Sequence, residues 1–280
     1  MVKTVLSVLR APGNALAFGV RDRVRWSRGI AELPNEEKGR LFAHLPAELA
    51  QVAEAVERDL RGRYELEALR ALSTRVVWRD GLVRLHAMER LFAGVELPVS
   101  EDGVLRAVDA GCGAFHYACV LQRFFAQAGG GHRRVVLRGL EVDGFGVYRD
   151  GHSRADHARA HAKLAGKDVH FQVADFAHAS LPEQDVVTAW FPFVTRYALL
   201  RWGLPLSLFA PRRFFERAAK VVRVGGMLVV VNQTEQEAER VDAVCASLPF
   251  TLLARTHLAT EWADRAEATA GWTGSVFQRL

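Results

Sequence analysis

Cysteine is scarce in this sequence of 280 residues, which contains three: Cys112, Cys119 and Cys245. Their number is odd, and their spacing fits neither a zinc site nor a framework of paired disulfides. We therefore expect free thiols, no metal site and a reducing, cytoplasmic environment.

Long apolar runs are also missing. A membrane-spanning helix needs about 20 consecutive apolar residues, whereas polar residues, Pro12 and Gly13 interrupt the apolar start of the chain. The sequence thus predicts neither a transmembrane segment nor a signal peptide. A short segment that binds an anionic surface remains an alternative for residues 1–28.

Lysine is rare, because 32 of the 37 cationic residues are arginine. The formal net charge of +5 would by itself suggest an acidic partner. However, residues 1–28 hold six cations and one anion, Asp22, while the rest of the chain holds 31 of each sign. This even balance argues against nucleic acid as a partner, and we expect any anionic contact at residues 1–28.

The sequence has no internal repeats, and its pattern changes near residue 100. Before that point, apolar residues recur every three or four positions in 47–72 and 81–93, which predicts amphipathic helices. The first strand signal is TRVVW, at 74–78. Because a short, polar, turn-rich stretch follows these helices, we predict two regions: a helical accessory region at 1–100, covering the substrate side, and a core at 101–280.

Apolar strands alternate with helices in the second region. Such alternation predicts an α/β fold with a doubly wound, mostly parallel sheet, in which ligands bind beyond the carboxyl ends of the strands. The last two segments, 250–259 and 275–280, are typical of a closing antiparallel hairpin. The preceding predicted strands lie at 104–111, 133–144, 169–176, 184–193 and 227–233.

A glycine-rich turn in AVDAGCGAFHYA, at 107–118, is the most informative motif. A buried strand delivers Asp109 and is followed by Gly111, Gly113 and a helix, whose free N–H groups can bind a polar ligand. A dinucleotide site would instead need a third glycine at the position of His116, and Asp109 would repel a pyrophosphate. The turn therefore favours a nucleoside ligand that carries a positive charge.

This turn resembles the first motif of the class I S-adenosylmethionine-dependent methyltransferases, roughly [DE]-x-G-x-G-x-G, which Asp109, Gly111 and Gly113 match. Phe115 replaces the last glycine of the motif, and a bulky side chain there would narrow or line the pocket. The resemblance covers about residues 100–280. It implies a seven-stranded sheet with a reversed last strand, and S-adenosyl-L-methionine as the cofactor.

Two later motifs extend the resemblance. GLEVDG resembles the second-strand motif, and Glu141 best matches the acid that binds the ribose, with Asp143 as the alternative. VADFA resembles the motif that contacts adenine, with Asp175 and Phe176 at the matching positions. The resemblance therefore implies that these residues bind the cofactor, together with the acid and glycines of the first motif.

Aromatic residues follow the fourth predicted strand and are expected to face the acceptor. Members of the family that methylate amino groups or bases often carry [DN]-P-P-[YFW] here, whereas this chain has WFPF and lacks the amide or carboxylate that would accept an N–H. An aromatic lining favours a planar or apolar acceptor. The candidate substrate-binding residues are Trp190, Phe193, Arg196 and Tyr197.

Histidines occur at two places of interest. His116 and Tyr117 follow the glycine turn and are the candidate catalytic residues, since a histidine there can act as a base near neutral pH; a structural role at the helix start is the alternative. His157 and His161 are four residues apart, as metal ligands can be. Because no third ligand is evident, we predict a solvated helix face instead.

The leading hypothesis is a methyltransferase that transfers the sulfonium methyl of S-adenosylmethionine by direct displacement to a small-molecule acceptor, with O-methylation slightly favoured. Residues 195–211 are long and apolar and are expected to form a lid. A non-catalytic binding or regulatory protein is an alternative, motivated by Phe115 and by the missing acceptor motif. An RNA methyltransferase is a third, which would need a basic groove beside the site.

Overall fold

The structure is a computed structural model. It describes residues 2–39, 41–98, 100, 102–258 and 271–280, with side chains from Arg10 onward. Residue 259, the predicted end of one strand, lies outside the described residues.

Four helices precede the first strand in the described part of the chain: α1 (Val2–Val24), α2 (Ala47–Arg63), α3 (Glu67–Ala71) and α4 (Arg75–Leu91). Within the described residues, no helix is both long enough and apolar enough to cross a membrane.

The expectation of a strand at 74–78 is wrong, because these residues begin α4. Thr74 caps this helix by accepting a hydrogen bond from the backbone N–H of Val77 (3.1 Å). Trp78, Leu82 and Leu85 then recur at helical spacing and are fully buried. The β-branched residues at 74–78 favour a strand locally, but the longer apolar stripe along the helix outweighs this preference.

A seven-stranded sheet forms the centre of the described residues, with the order β3-β2-β1-β4-β5-β7-β6. All neighbouring pairs are parallel except those of β7, which runs antiparallel to both β5 and β6. This confirms the predicted fold class, including the reversed last strand. The strands are β1 (Val104–Ala110), β2 (Arg134–Glu141), β3 (Val169–Val173), β4 (Gln184–Trp190), β5 (Val222–Asn232), β6 (Phe250–His257) and β7 (Thr273–Arg279).

Helices cover both faces of the sheet. They are α5 (Ala118–Gln127), α6 (Arg154–Ala165), α8 (Pro211–Val221) and α9 (Glu235–Cys245), whereas α7 (Arg196–Arg201) lies between β4 and α8 in the chain and packs against α1. Helices α2 and α4 share one hydrophobic core with α5 and one sheet face, whereas α8 and α9 pack on the other face. The division of the chain at residue 100 stays a prediction.

Helix α1 lies across the carboxyl edge of the sheet. The side-chain amide of Asn14 donates to the carbonyl oxygens of Leu200 (2.9 Å) and Leu204 (3.1 Å), at and after α7. One turn from its end, the Arg21 guanidinium donates to the carboxylate of Asp143 (2.9 Å), just past β2. The cationic start of the chain therefore contacts the edge at which ligands bind in such folds.

Candidate functional site

The turn after β1 leaves its backbone open to a ligand. Gly111 and Gly113 have φ angles of +81° and +60°, which favour glycine. No heavy atom lies within 4 Å of a Cβ built on either residue. The turn thus leaves open space at these two positions, which any larger side chain would fill.

Phe115, at the position of the motif's last glycine, also has a positive φ of +53°. Its ring is fully buried and packs under the turn, against Cys112 and β2. A Cβ on Gly139 would lie only 2.7 Å from this ring, so glycine is needed there. The expectation that Phe115 narrows or lines the pocket is wrong, because the ring fills the core.

Asp109, at the end of β1, is completely buried and held by two hydroxyl groups. The hydroxyl of Thr188 donates to one oxygen (2.6 Å), and that of Tyr117 donates to the other (2.7 Å). Burial raises the pKa of Asp109 to about 6, although the hydroxyl donors lower it. This carboxylate thus ties the turn to β4 and to the start of α5.

Glu141, at the end of β2, is bonded to the backbone instead. Its carboxylate accepts hydrogen bonds from the N–H groups of Gly113 (2.9 Å) and Asp143 (2.8 Å). The first of these bonds joins the two predicted cofactor motifs. Arg154 lies closer to Asp143 (3.1 Å) than to Glu141 (3.7 Å), and Asp143 also pairs with Arg21 (2.9 Å).

Asp175 and Phe176 follow β3. The carboxylate of Asp175 accepts from the N–H of Ala177 (2.9 Å) and lies 2.8 Å from Nδ1 of His178. The ring of Phe176 is buried against that of Phe214, with the centroids 4.9 Å apart. These contacts fix both side chains at the carboxyl edge.

A cavity of about 460 Å³ opens at this edge, a volume within the range of small-molecule sites. Its lining includes six of the predicted site residues: Gly111, Glu141, Asp175, Phe176, Trp190 and Phe193.

The other six predicted site residues do not line the cavity: Asp109, Gly113, His116, Tyr117, Arg196 and Tyr197. Arg196 lies over the ring of Phe209, 5.8 Å from its centroid, and Tyr197 is exposed. The roles predicted for these residues stay predictions.

The roof of the cavity comes from residues 195–211, the stretch expected to form a lid. Leu199, Trp202 and Leu208 are among its lining residues. Phe191, which also lines the cavity, has a φ of +56°, an uncommon value for a bulky residue. The N–H of Phe191 donates to the carbonyl of Val231 (2.7 Å), which holds this turn at the end of β4.

An ion pair beside the turn, between the buried Arg84 and the partly exposed Asp80, was not predicted from the sequence. Asp80 and Arg84, both on α4, bond to each other (2.8 Å), and Asp80 also bonds to Nε2 of His116 (2.5 Å). Burial alone would raise the pKa of Asp80, but the positive charge of Arg84 and the bond to His116 hold it below its ordinary value. The Arg84 guanidinium lies over the rings of Tyr117 and Trp190, at 4.2 and 4.6 Å.

His157 and His161 do not form a solvated helix face, so that prediction is wrong. His161 is buried next to the ring of His116, and burial lowers the pKa of His161 to about 3. His157 instead turns toward the loop that precedes α6 and lies 2.9 Å from the carboxylate of Asp150. One helical turn therefore separates a core position from a loop contact.

No family model matches the chain, and no curated protein sequence matches it. Solved structures do match. Geranyl diphosphate C-methyltransferase from Streptomyces coelicolor A3(2) has a TM-score of 0.50 and 10% identity, over 89% of this chain and 91% of that one. Magnesium protoporphyrin IX methyltransferase from Synechocystis has a TM-score of 0.43 and 15% identity, over 74% and 81%.

TrmN from Thermus thermophilus also matches, with a TM-score of 0.43 and 18% identity over 64% of this chain. This chain spans 46% of the length of TrmN. At such identities the likeness concerns the fold: the chain has the fold of the class I S-adenosylmethionine-dependent methyltransferases.

Proposed function

We propose that this chain, which has the class I methyltransferase fold, is an S-adenosylmethionine-dependent methyltransferase that acts on a small-molecule acceptor. One observation carries the proposal. The carboxylates expected at the ribose and adenine, Glu141 and Asp175, line the same cavity as the aromatic residues expected at the acceptor, Trp190 and Phe193. Cofactor and acceptor would thus bind in the same cavity.

The residues present fit the cofactor. The open backbone at Gly111 and Gly113 leaves room for it beside the start of α5. Glu141 offers carboxylate oxygens that can accept hydrogen bonds from a ribose diol, and the anionic side chains favour a cationic ligand. Phe115 does not obstruct the cavity, which removes one motive for the non-catalytic alternative.

The bound cofactor would supply an activated methyl group on its sulfonium. The protein then has to exclude water and align the acceptor. Trp190, Phe193 and Trp202 offer flat apolar walls for this purpose. Burial raises the pKa of Tyr117 well above its ordinary value, which favours the protonated phenol that donates to Asp109.

The walls of the cavity favour an acceptor with a planar or apolar body. Two arginines, Arg201 and Arg213, and two polar residues, Gln233 and Glu237, also reach the lining and can orient polar substituents. The loop after β4 lacks the amide or carboxylate of the [DN]-P-P-[YFW] motif, which favours oxygen as the acceptor atom; the amide of Gln233 and the carboxylate of Glu237 reach the lining from residues after β5. We therefore propose a small hydroxylated or carboxylic acceptor.

Calorimetric titration of the full chain with S-adenosylhomocysteine, the demethylated product, tests cofactor binding. We expect one site with a micromolar Kd, and a weaker site in Asp175→Asn. Asp168→Asn is the control, because Asp168 pairs with Arg134 far from the cavity lining. Absence of binding at millimolar ligand would overturn the proposal.

Turnover is tested separately, by release of S-adenosylhomocysteine from S-adenosylmethionine with panels of phenols, carboxylic acids, amines and RNA. Product formed with a phenol or an acid supports the proposed acceptor. Product formed only with RNA or amines contradicts it, and tight cofactor binding with no turnover on any panel favours the non-catalytic alternative.

A further inference from the structure

Three potential metal ligands meet where the loop between β2 and α6 joins the first turn of α6, outside the cavity. Asp150, His152 and His157 each offer one ligand atom, and the three atoms lie within 4.8 Å of one another. Oδ2 of Asp150 is 2.9 Å from Nε2 of His157 and 3.5 Å from Nδ1 of His152. The four-residue spacing of His157 and His161 in the sequence does not indicate this cluster.

The backbone of the loop aims the carboxylate at both rings. The N–H of His152 donates to Oδ1 of Asp150 (3.0 Å), which leaves Oδ2 facing the imidazoles. The loop is closed by a hydrogen bond from the N–H of Tyr148 to the carbonyl of His152 (2.9 Å) and by a bridge between Val147 and Ser153. Two of the ligands are therefore held in place before any ion binds.

The third ligand is fixed by the start of α6. Ser153 caps this helix in a reciprocal arrangement with Asp156, and His157 lies in the first turn. The ring of Tyr148 meets that of His157 edge-on at 5.0 Å, which restricts its rotation. Hydrogen bonds therefore hold the backbone at all three ligand positions.

The facing ring nitrogens are shielded from solvent and poorly hydrogen-bonded. Apart from the nearby carboxylate of Asp150, Nδ1 of His152 and Nε2 of His157 have no polar partner among the described residues, and neither contact with Asp150 is a well-oriented hydrogen bond. A shielded nitrogen without a well-oriented partner is unfavourable. A metal ion placed between the rings would accept both lone pairs.

We propose that Asp150, His152 and His157 bind a divalent transition-metal ion, for which Zn²⁺ is the best match. Two imidazole nitrogens and one carboxylate oxygen are ligands that zinc prefers, and they leave the fourth tetrahedral position to water. Ligand atoms about 2.0–2.1 Å from zinc lie about 3.3 Å apart in a tetrahedron, between the two distances observed here. Mg²⁺ and Ca²⁺ prefer oxygen ligands and fit poorly.

The same loop holds the segment after α1. The indole N–H of Trp26 donates to the carbonyl of Gly151 (2.9 Å), and the Arg28 guanidinium donates to that of Asp150 (2.9 Å). Arg28 leaves the carboxylate of Asp150 free, although its charge opposes a cation. A bound ion would stiffen the loop on which residues 26–28 dock, and thereby stabilise the folded chain by mass action.

The experiment is a calorimetric titration of the full chain, freed of metals by a chelator, with Zn²⁺ alone. We expect one ion per chain and an affinity at least tenfold lower in both His157→Ala and Asp150→Asn. His132→Ala, which removes an exposed histidine elsewhere, should bind like the wild type. Co²⁺ should give the visible absorption of a tetrahedral complex in the wild type and in His132→Ala only.

Equal zinc binding by the wild type and His157→Ala, or no binding at millimolar Zn²⁺, would overturn the proposal and leave a plain histidine–aspartate cluster. Melting temperatures measured in chelator show whether the variants are folded, and Asp150→Asn keeps the shape of the side chain. Binding of S-adenosylhomocysteine in chelator is measured alongside. The metal site and the proposed methyltransferase function can therefore fail independently.

Discussion

Two acids at adjoining strand ends behave differently. Asp109 closes β1 and Glu141 closes β2, and their strands are in register, with Asp109 opposite Gly139. Both side chains are buried. Asp109 is enclosed by the hydroxyls of Tyr117 and Thr188, whereas Glu141 accepts from backbone N–H groups and lines the cavity.

The two side chains point to the same face of the sheet, because Asp109 pairs with Gly139 and Glu141 lies two residues further along β2. The difference arises from their position along the strands, since Asp109 lies before the last residue of β1, whereas Glu141 is the last residue of β2. Asp109 points into the polar cluster beneath α4, where the charge of Arg84 lowers its pKa but does not offset the effect of burial. Glu141 points to the open edge, where a ligand can compete for its oxygens. Of the two acids at neighbouring strand ends, Asp109 thus supports the turn, and Glu141 can bind a ligand.

The largest effect is expected from Arg84→Met, which breaks the buried cluster on the Asp109 side. Removal of one partner from a buried ion pair costs about 3–5 kcal/mol. Because the Asp80 side chain is one-fifth exposed and keeps its contact with His116, the loss should lie at the lower end of this range. We expect this loss in the free energy of unfolding measured with urea. Arg58→Ala, an exposed site on α2, should change it by less than about 0.5 kcal/mol.

A double variant sharpens that test. If Asp80→Asn together with Arg84→Met recovers part of the lost stability, the unpaired charge of Asp80 is the cause. A loss of the same size with Asp80 present or neutralised would contradict the ion-pair explanation and point to lost packing against Trp190 and Tyr117.

Asp109→Asn should remove a pH-dependent part of the stability. The native pKa of Asp109 is about 6, above its unfolded value of about 3.9, so the native state binds more protons between these values. Its contribution to stability therefore falls as the pH rises from about 4 to 6, by about 3 kcal/mol at most. The stability difference between the two proteins should therefore shift in favour of the variant as the pH rises through this range.

The measurement is the unfolding free energy of both proteins from pH 4 to 7.5, taken as a difference so that other carboxyl groups cancel. A constant difference across this range would show that Asp109 does not titrate with a raised pKa. Cofactor affinity should change less in Asp109→Asn than after substitution of Glu141.

The β2 side of the comparison was largely predictable from sequence. Strand periodicity and the order of motifs place Gly111, Glu141 and Asp175 at consecutive strand ends, and the fold brings consecutive parallel strand ends to one edge. Prediction erred where aromatic residues continue past a strand: 184–193 was expected, but β4 ends at Trp190. There the chain turns through the positive φ of Phe191, which no local pattern reveals.

The contacts that surround Asp109 could not be predicted from the sequence. Asp80 and Arg84 have the i,i+4 spacing of an ordinary exposed helix pair, and nothing local shows that α4 buries them under the β1 turn. The boundary between α8 and β5 was unpredictable for a similar reason, because the helical pattern of residues 212–226 runs past the end of α8 at Val221. Val222 pairs with Gln184 and begins β5, so sheet pairing takes over the end of a helical pattern.

Glu141→Gln should weaken binding of S-adenosylhomocysteine by about 10- to 100-fold, since hydrogen bonds to a charged group contribute about 1.5–3 kcal/mol. The amide keeps the shape of the side chain and one acceptor oxygen for the turn. Calorimetry gives the affinity, and thermal melting should show a small change. Glu239→Gln, at an exposed position of α9, is the matched control.

A Glu141→Gln protein that binds as tightly as the wild type, beside a weakened Asp109→Asn protein, would reverse the comparison. The β1 acid would then be the one that binds the ligand.

The smallest effect is expected from Arg21→Gln on α1. Arg21 is about one-quarter exposed and pairs with the buried Asp143, two residues after Glu141. Exposed ion pairs contribute about 1 kcal/mol or less, and Asp143 keeps its pair with Arg154 when Arg21 is replaced, so cofactor affinity should fall at most about fivefold, and less at high salt. Arg23→Gln, at an exposed position on the same helix, should leave the affinity unchanged. If both variants weaken binding equally and only at low salt, α1 acts through its general charge, and the Arg21–Asp143 contact does not extend the β2 side of the site.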